Sequence, residues 1–153
     1  MSFFERYFAA LDGPDPYSSL DMVAEDVEFA IEWATGTDRK SHQIAGGRGE
    51  LRAFIDAGDR GAWVHHVLRS AGDDRTEFAL GETRDDGGTR IATFVAVAEL
   101  DAAGRMRRYF VGRSPAIAFS ELRPADQSLQ SKGGYGEWIS RLIRRPSKCV
   151  SAC

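Results

Sequence analysis

The sequence predicts an α+β domain, and three observations carry that expectation. Apolar residues at helical spacing fall before Gly58, strand alternation dominates from Trp63 to Arg113, and two turns rich in Asp and Gly cut this second part into a meander. Helices segregated from a run of antiparallel strands are the pattern of an α+β fold.

Each element has its own signal. Phe4, Tyr7, Phe8 and Leu11 share one stripe, which predicts a helix over residues 3–11 that Asp12-Gly13-Pro14 stops. Ser18 or Ser19 can cap a short second helix carrying Leu20, Met22 and Val23. After the acidic pair Glu25-Asp26, residues Val27, Phe29, Ile31 and Trp33 alternate with smaller or charged ones, which predicts a strand. The polar, glycine-rich stretch 35–49 reads as loop. Leu51, Phe54 and Ile55 give residues 50–57 a buried helical face. Strands are expected over 63–69, 77–84, 90–100 and 106–113, with Asp85-Asp86-Gly87-Gly88 and Asp101-Ala102-Ala103-Gly104 as turns. A strongly twisted sheet over a few helices leaves an open end, a natural place for a ligand.

From Ser120 the pattern breaks. Pro124, Ser128, Ser131 and Gly133-Gly134 read as linker, and residues 137–145 can form a short helix with Trp138, Ile139 and Leu142 together. This stretch has six Lys/Arg against three Asp/Glu, while the whole chain has net charge −3. The expected division is a domain over 1–119 and a flexible basic tail over 120–153. The tail either hangs free or makes a weak contact with an acidic surface or anionic membrane.

Bulk properties exclude several classes. The 153 residues suffice for one core, and 42% hydrophobic with 28% charged residues is ordinary for a globular protein. The net charge of −3 gives no general pull toward nucleic acid. The apolar run Ile91–Ala98 is far too short to span a membrane, and Met1–Arg6 lacks the basic start of a secretory signal, so a cytoplasmic location is expected. Cys149 and Cys153 are the only cysteines; a bridge between them would close a tiny loop, and a lone C-x3-C predicts no metal site. A glycine-rich phosphate loop, a nucleophile elbow and a Cys–His cluster are all missing, so no cofactor is expected.

Residues 6–13, Arg-Tyr-Phe-Ala-Ala-Leu-Asp-Gly, followed by Val23-Ala24-Glu25-Asp26-Val27-Glu28-Phe29, resemble the opening of the SnoaL-like and ketosteroid-isomerase-like proteins. Gly49-Glu50-Leu51-Arg52-Ala53-Phe54 resembles their third helix, and residues 100–106 the turn into their last strand. The resemblance covers roughly residues 2–119. It implies a cone-shaped barrel, a strongly curved antiparallel sheet wrapped around the N-terminal helices, as in nuclear transport factor 2. The fold hosts isomerases, dehydratases, cyclases, epoxide hydrolases and plain binders.

Carried over by residue, the isomerase pattern holds in part. Tyr7 matches the oxyanion-stabilising tyrosine, but the proton-shuttling aspartate falls near Ile31, with Glu32 one step on, and the second aspartate near Ala96. Trp63-Val64-His65-His66-Val67 resembles a branch, including scytalone dehydratases, with a pocket histidine on this strand; His66 is the closer match. The last-strand pattern maps onto Tyr109, Val111 and Arg113.

These residues define the candidate site. Tyr7 would donate to a developing oxyanion, or else bond a neighbour as a structural group. Only one of the adjacent His65 and His66 can face the cone, where it would act as general acid or base or simply bond a carbonyl. Trp33, Phe94, Ala96 and Tyr109 would shape the wall, and Arg113 would meet an anionic group or sit solvated at the edge. Glu82 and Arg84 share a strand face; pairing across the Asp86-Gly87 turn favours an outward ion pair. Val95 and Val97 give the long strand a second apolar face, suited to a homodimer contact. The function expected is acid–base chemistry without cofactor on a small, largely apolar molecule: isomerisation, dehydration or cyclisation. A ligand-binding module and a dimeric interaction domain are the alternatives.

Overall fold

The computed structural model describes residues 1–34, 40–58 and 63–118. The tail over 120–153, with its expected helix at 137–145 and both cysteines, lies outside the described residues.

Helix α1 (Phe3–Leu11) begins where its free N–H groups find acceptors. The Ser2 hydroxyl accepts from the Glu5 N–H at 3.2 Å, and the Glu5 carboxylate accepts from the Ser2 N–H at 2.6 Å. The N–H groups of Phe3 and Phe4 donate to the two carboxylate oxygens of Glu77, at 2.8 and 2.9 Å. A strand residue distant in sequence thus caps the helix and fixes its position on the sheet. Removing that carboxylate strands two donors beside the buried Phe3 and Phe4. Glu77→Ala is therefore expected to lower stability by about 2 kcal/mol, measured by urea denaturation.

The second helix is a 3-10 turn, Pro16–Met22. Its cap is Asp15, whose carboxylate accepts from the Tyr17 N–H at 3.2 Å. Ser18 and Ser19 do not cap it; their hydroxyls donate back to the carbonyls of Asp15 and Pro16. Strand β1 (Val23–Ala34) leads to β2 (Ser41–Gly46) and then α2 (Arg48–Asp56). The stretch expected as loop therefore contains a strand. β2 escapes the sequence pattern because all its residues are exposed or half-buried, as an edge strand allows. Arg48 fixes the start of α2 by donating to the carbonyls of Leu20 and Val23, at 2.8 and 2.6 Å.

The meander follows as β3 (Trp63–Gly72), β4 (Thr76–Asp85), β5 (Arg90–Leu100) and β6 (Met106–Ser114). Gly88 and Gly104 take the positive φ that the β4–β5 and β5–β6 turns require. The six strands form one sheet in the order β2-β1-β6-β5-β4-β3. All neighbours are antiparallel except β1 and β6, which run parallel, so the sheet is mixed rather than wholly antiparallel. The long excursion from β1 through β5 lets the last strand return beside the first in the same direction.

The core lies between this sheet and the helices. α1 sends Phe4 and Tyr7 onto Tyr109 of β6, and Phe8 onto Phe94 of β5. Beneath it, Ala79, Ala96 and Ala98 present small side chains that let the helix approach. α2 buries Leu51 and Ile55 and packs on β1, β2 and the 3-10 turn. The helices cover one face of the sheet and leave space between α1, α2 and the ends of β1, β3 and β6.

Candidate functional site

That space is a cavity of about 740 Å3. Its walls come from every layer: Tyr7 and Leu11 of α1, Leu51 and Phe54 of α2, Ile31 and Trp33 of β1, and Tyr109 and Val111 of β6. Phe94 of β5 adds an aromatic floor, and the polar groups include His65, Arg113, Gln43 and Glu50. A largely apolar wall with a few polar groups is the usual character of a small-molecule site.

The strand pleat decides which histidine reaches it. Trp63, His65 and Val67 are half-buried, whereas Val64 and His66 are exposed. His65 therefore lines the cavity, whereas His66, the expected proton carrier, does not; it lies at a smaller crevice that His65 and Asp12 also border. Ala96 is likewise not in the cavity wall; it is fully buried in the core. Glu32 is exposed, while its neighbours Ile31 and Trp33 line the cavity, so no bulge brings the carboxylate inward. Tyr7, Trp33, Phe94, Tyr109 and Arg113 all lie in the wall.

His65 has a partner that the sequence reading took only for a helix stop. Asp12, the C-cap of α1, accepts from the His65 backbone N–H at 2.6 Å, and its oxygens lie 3.0 and 3.1 Å from Nδ1. The side chains are only 13% and 11% exposed. Phe8 stacks flat on the imidazole at 4.1 Å, and Trp63 and Phe94 meet it edge-on at 5.0 and 5.5 Å. The ring is thus held on several sides. An ionised carboxylate only accepts, so the contact suits a proton on Nδ1, and in the neutral imidazole that tautomer leaves the Nε2 lone pair available. The placement of Asp12 is itself informative. A carboxylate at a helix C-terminus opposes the helix dipole, and burial adds to that cost. A residue that breaks a local rule in this way marks a functional or strained position.

Two tyrosines complete the polar lining. The rings of Tyr7 and Tyr109 meet edge to face at 5.8 Å. Burial pushes the Tyr109 hydroxyl well above the ordinary phenol range, with smaller pushes from neighbouring Tyr7 and Asp12. The hydroxyl therefore remains a proton donor across the working range of pH. Because the folded value is the raised one, its stabilising effect is complete below the unfolded phenol value and fades as pH climbs toward the folded value. Tyr109→Phe is accordingly expected to move alkaline unfolding to higher pH, followed by circular dichroism alongside tyrosinate absorbance.

Arg113 closes one side of the cavity. Its guanidinium lies over the Trp63 ring, 4.7 Å from the centroid, and one Nη2–H donates to Thr83 Oγ1 at 3.1 Å. Burial lowers its pKa from the ordinary arginine value. Phe94 is seated by an unusual neighbour: it pairs with Gly81 on β4, and its ring fills the space where a Gly81 side chain would begin. Glu82 and Arg84 stand on the opposite face of β4. Glu82 pairs there with Thr93, is 6% exposed, and accepts two bonds from Arg84 at 2.7 and 3.0 Å. They take no part in the cavity.

No protein-family model and no curated protein sequence matches the chain. Solved structures do. A candidate isomerase of the SnoaL-like family from Agrobacterium tumefaciens superposes with a TM-score of 0.56 at 14% identity, covering 72% of this chain and 92% of the other. A candidate ketosteroid isomerase from Kribbella flavida gives 0.54 at 21% identity, over 82% and 83% of the two chains. SalBIII, an epoxide hydrolase/cyclase-like enzyme of pyran ring formation in the polyether salinomycin, gives 0.52 at 14% identity, over 72% and 86%. Identities this low speak to architecture alone. The chain has the α+β cone fold of the SnoaL-like and ketosteroid-isomerase-like proteins, the fold to which its opening motifs pointed.

Proposed function

We propose that this protein is an acid–base enzyme acting without cofactor on a small, largely apolar molecule, by isomerisation, dehydration or cyclisation. The observation that carries this reading is His65 in the wall of a largely apolar cavity, with its Nδ1 held by Asp12. His65 Nε2 takes a proton from carbon or hydroxyl, and Asp12 holds the tautomer and stabilises the imidazolium that forms. Negative charge then develops on a substrate oxygen. The hydroxyls of Tyr7 and Tyr109 are the donors in the wall suited to receive it. His65 returns the proton at a second position or to a leaving oxygen.

The test is deuterium exchange at the α-carbons of 2-tetralone in heavy water, followed by NMR. Exchange well above the buffer rate, saturating with ketone, is expected. Saturable binding without exchange would favour the second reading, a non-catalytic binding module. That reading draws support from the side chains Ile31 and Ala96 where isomerases of this fold carry carboxylates.

The working unit is a homodimer in this proposal. On the sheet face away from the helices, Phe78, Val97 and Phe110 stand side by side on β4, β5 and β6. Phe78, Val95 and Phe110 are 54%, 55% and 46% exposed, an apolar surface that isolated proteins seldom leave uncovered. Light scattering is expected to give twice the chain mass, and Phe78→Glu to halve it. The same proposal assigns residues 1–119 to the ligand domain and 120–153 to an appended basic segment, with a cytoplasmic location. No helix among the described residues is long and apolar enough to cross a membrane.

A further inference from the structure

The least satisfied polar group in the cavity is Arg113. Its Nε is buried and has no hydrogen-bond partner among the described residues. Of five N–H donors, one is spent on Thr83. The guanidinium meets an aromatic face and a neutral hydroxyl, and no carboxylate among the described residues pairs with it. Three other arginines of the sheet, Arg84, Arg107 and Arg108, each have an acidic partner within 3.3 Å, while Arg69 and Arg90 donate to backbone carbonyls. A half-buried cation with no counter-charge among the described residues is suited to take one from a ligand, and the largely apolar wall around it strengthens the attraction.

We propose that the ligand of this cavity carries a carboxylate that Arg113 binds, while the rest of its skeleton lies along Phe94 and Tyr109 toward His65. This rests on the reading of the cavity as a ligand site, and it does not require turnover. A carboxylate is the anion that suits the site. The guanidinium fork matches its two oxygens, and the Trp63 face and Thr83 hold the fork in one plane. A phosphate dianion asks for more donors, and among the described residues the cavity wall holds no lysine and no second arginine. The polarity of the wall also orients such a ligand. Glu50 is the other charged side chain there, and its carboxylate already accepts from the Gly47 N–H at 2.9 Å, so the acidic end of the ligand lies away from it.

Trp63 lies near both functional groups, 4.7 Å from the Arg113 guanidinium and 5.0 Å from the His65 ring. The two groups are therefore close enough to meet the same small molecule, with Arg113 anchoring its acidic end while another part of it lies against His65.

The experiment compares two probes of one shape, 2-naphthoate and 2-naphthamide, by calorimetric titration of the full chain at neutral pH. The wild type is expected to bind naphthoate at least about tenfold more tightly. Arg113→Gln is expected to remove that preference while leaving naphthamide affinity within about twofold, and Arg113→Lys to keep only part of it. Equal affinities in the wild type would overturn the proposal without any variant, as would a preference that survives Arg113→Gln. If neither probe binds, or if Ala53→Trp at the cavity wall leaves both affinities unchanged, the ligand-site reading itself fails and this proposal with it.

Discussion

His65→Ala is expected to reduce catalysed exchange of 2-tetralone by about a hundredfold or more, with its binding weakened far less. His66→Ala, one residue away, is expected to leave the rate within about twofold of wild type. The contrast follows from the pleat: the His65 imidazole stands in the cavity wall and that of His66 does not. Asp12→Asn separates holding the ring from balancing its charge. The amide can still accept from the His65 backbone N–H, but it carries no negative charge to stabilise an imidazolium. Its expected loss is therefore smaller than that of His65→Ala, and it falls on kcat rather than KM. If all three variants exchange like wild type, some other group moves the proton and the assignment of His65 is wrong.

The largest expected loss of stability comes from the smallest substitution. Gly81→Ala places a Cβ 2.6 Å from the His66 carbonyl oxygen and into the ring of Phe94. The ring can tilt, but the carbonyl belongs to the backbone of β3, paired to β4 through this register. The strands must separate locally. A cost of about 3 kcal/mol is expected, lowering Tm by on the order of 10 °C, measured by thermal denaturation. A Tm within about two degrees of wild type would show that β3 yields more easily than its pairing implies. The same crowding turns Phe94 toward the cavity, so ligand affinity is expected to fall even in the fraction that folds.

The sequence exposed most of the architecture because most elements obey a single period. Phe4, Tyr7, Phe8 and Leu11 are buried on α1 as their spacing requires. β5 falls at Arg90–Leu100 as expected because a turn signal flanks it on each side, whereas β1 and β3 run several residues beyond their expected bounds. β2 was hidden because an edge strand with a solvated face needs no apolar alternation, and its signal lies in its pairing with β1. The parallel contact of β1 and β6 was hidden for a similar reason, since direction within a sheet is a property of the path and not of any segment.

In the site, the apolar wall was legible and the polar pair was not. The parity of β3 was available: Trp63 and Val67 flank His65 at two residues, and bulky apolar groups on one face mark the inward side. The likeness to other pocket histidines drew attention to His66 instead. Asp12 was harder. Asp-Gly-Pro after a helix reads as punctuation, and only the tertiary arrangement shows that this aspartate reaches β3. Arg113 was visible as a charge near the end of a strand, but that no carboxylate among the described residues pairs with it is a fact of the folded surroundings.

The place of β6 between β1 and β5 has a consequence for how the protein is made. The first strand to leave the ribosome has β2 as a neighbour at once, yet its other neighbour is the last strand of the domain. Until Met106–Ser114 has emerged, the growing chain consists of two separate pieces of sheet, β2-β1 and β3-β4-β5, each with an open edge facing the other. Tyr109, Val111 and Arg113 all lie on the joining strand. The segment that seals these edges against misassociation also delivers one wall of the cavity, so the ligand site comes into being in the same late step that makes the sheet continuous.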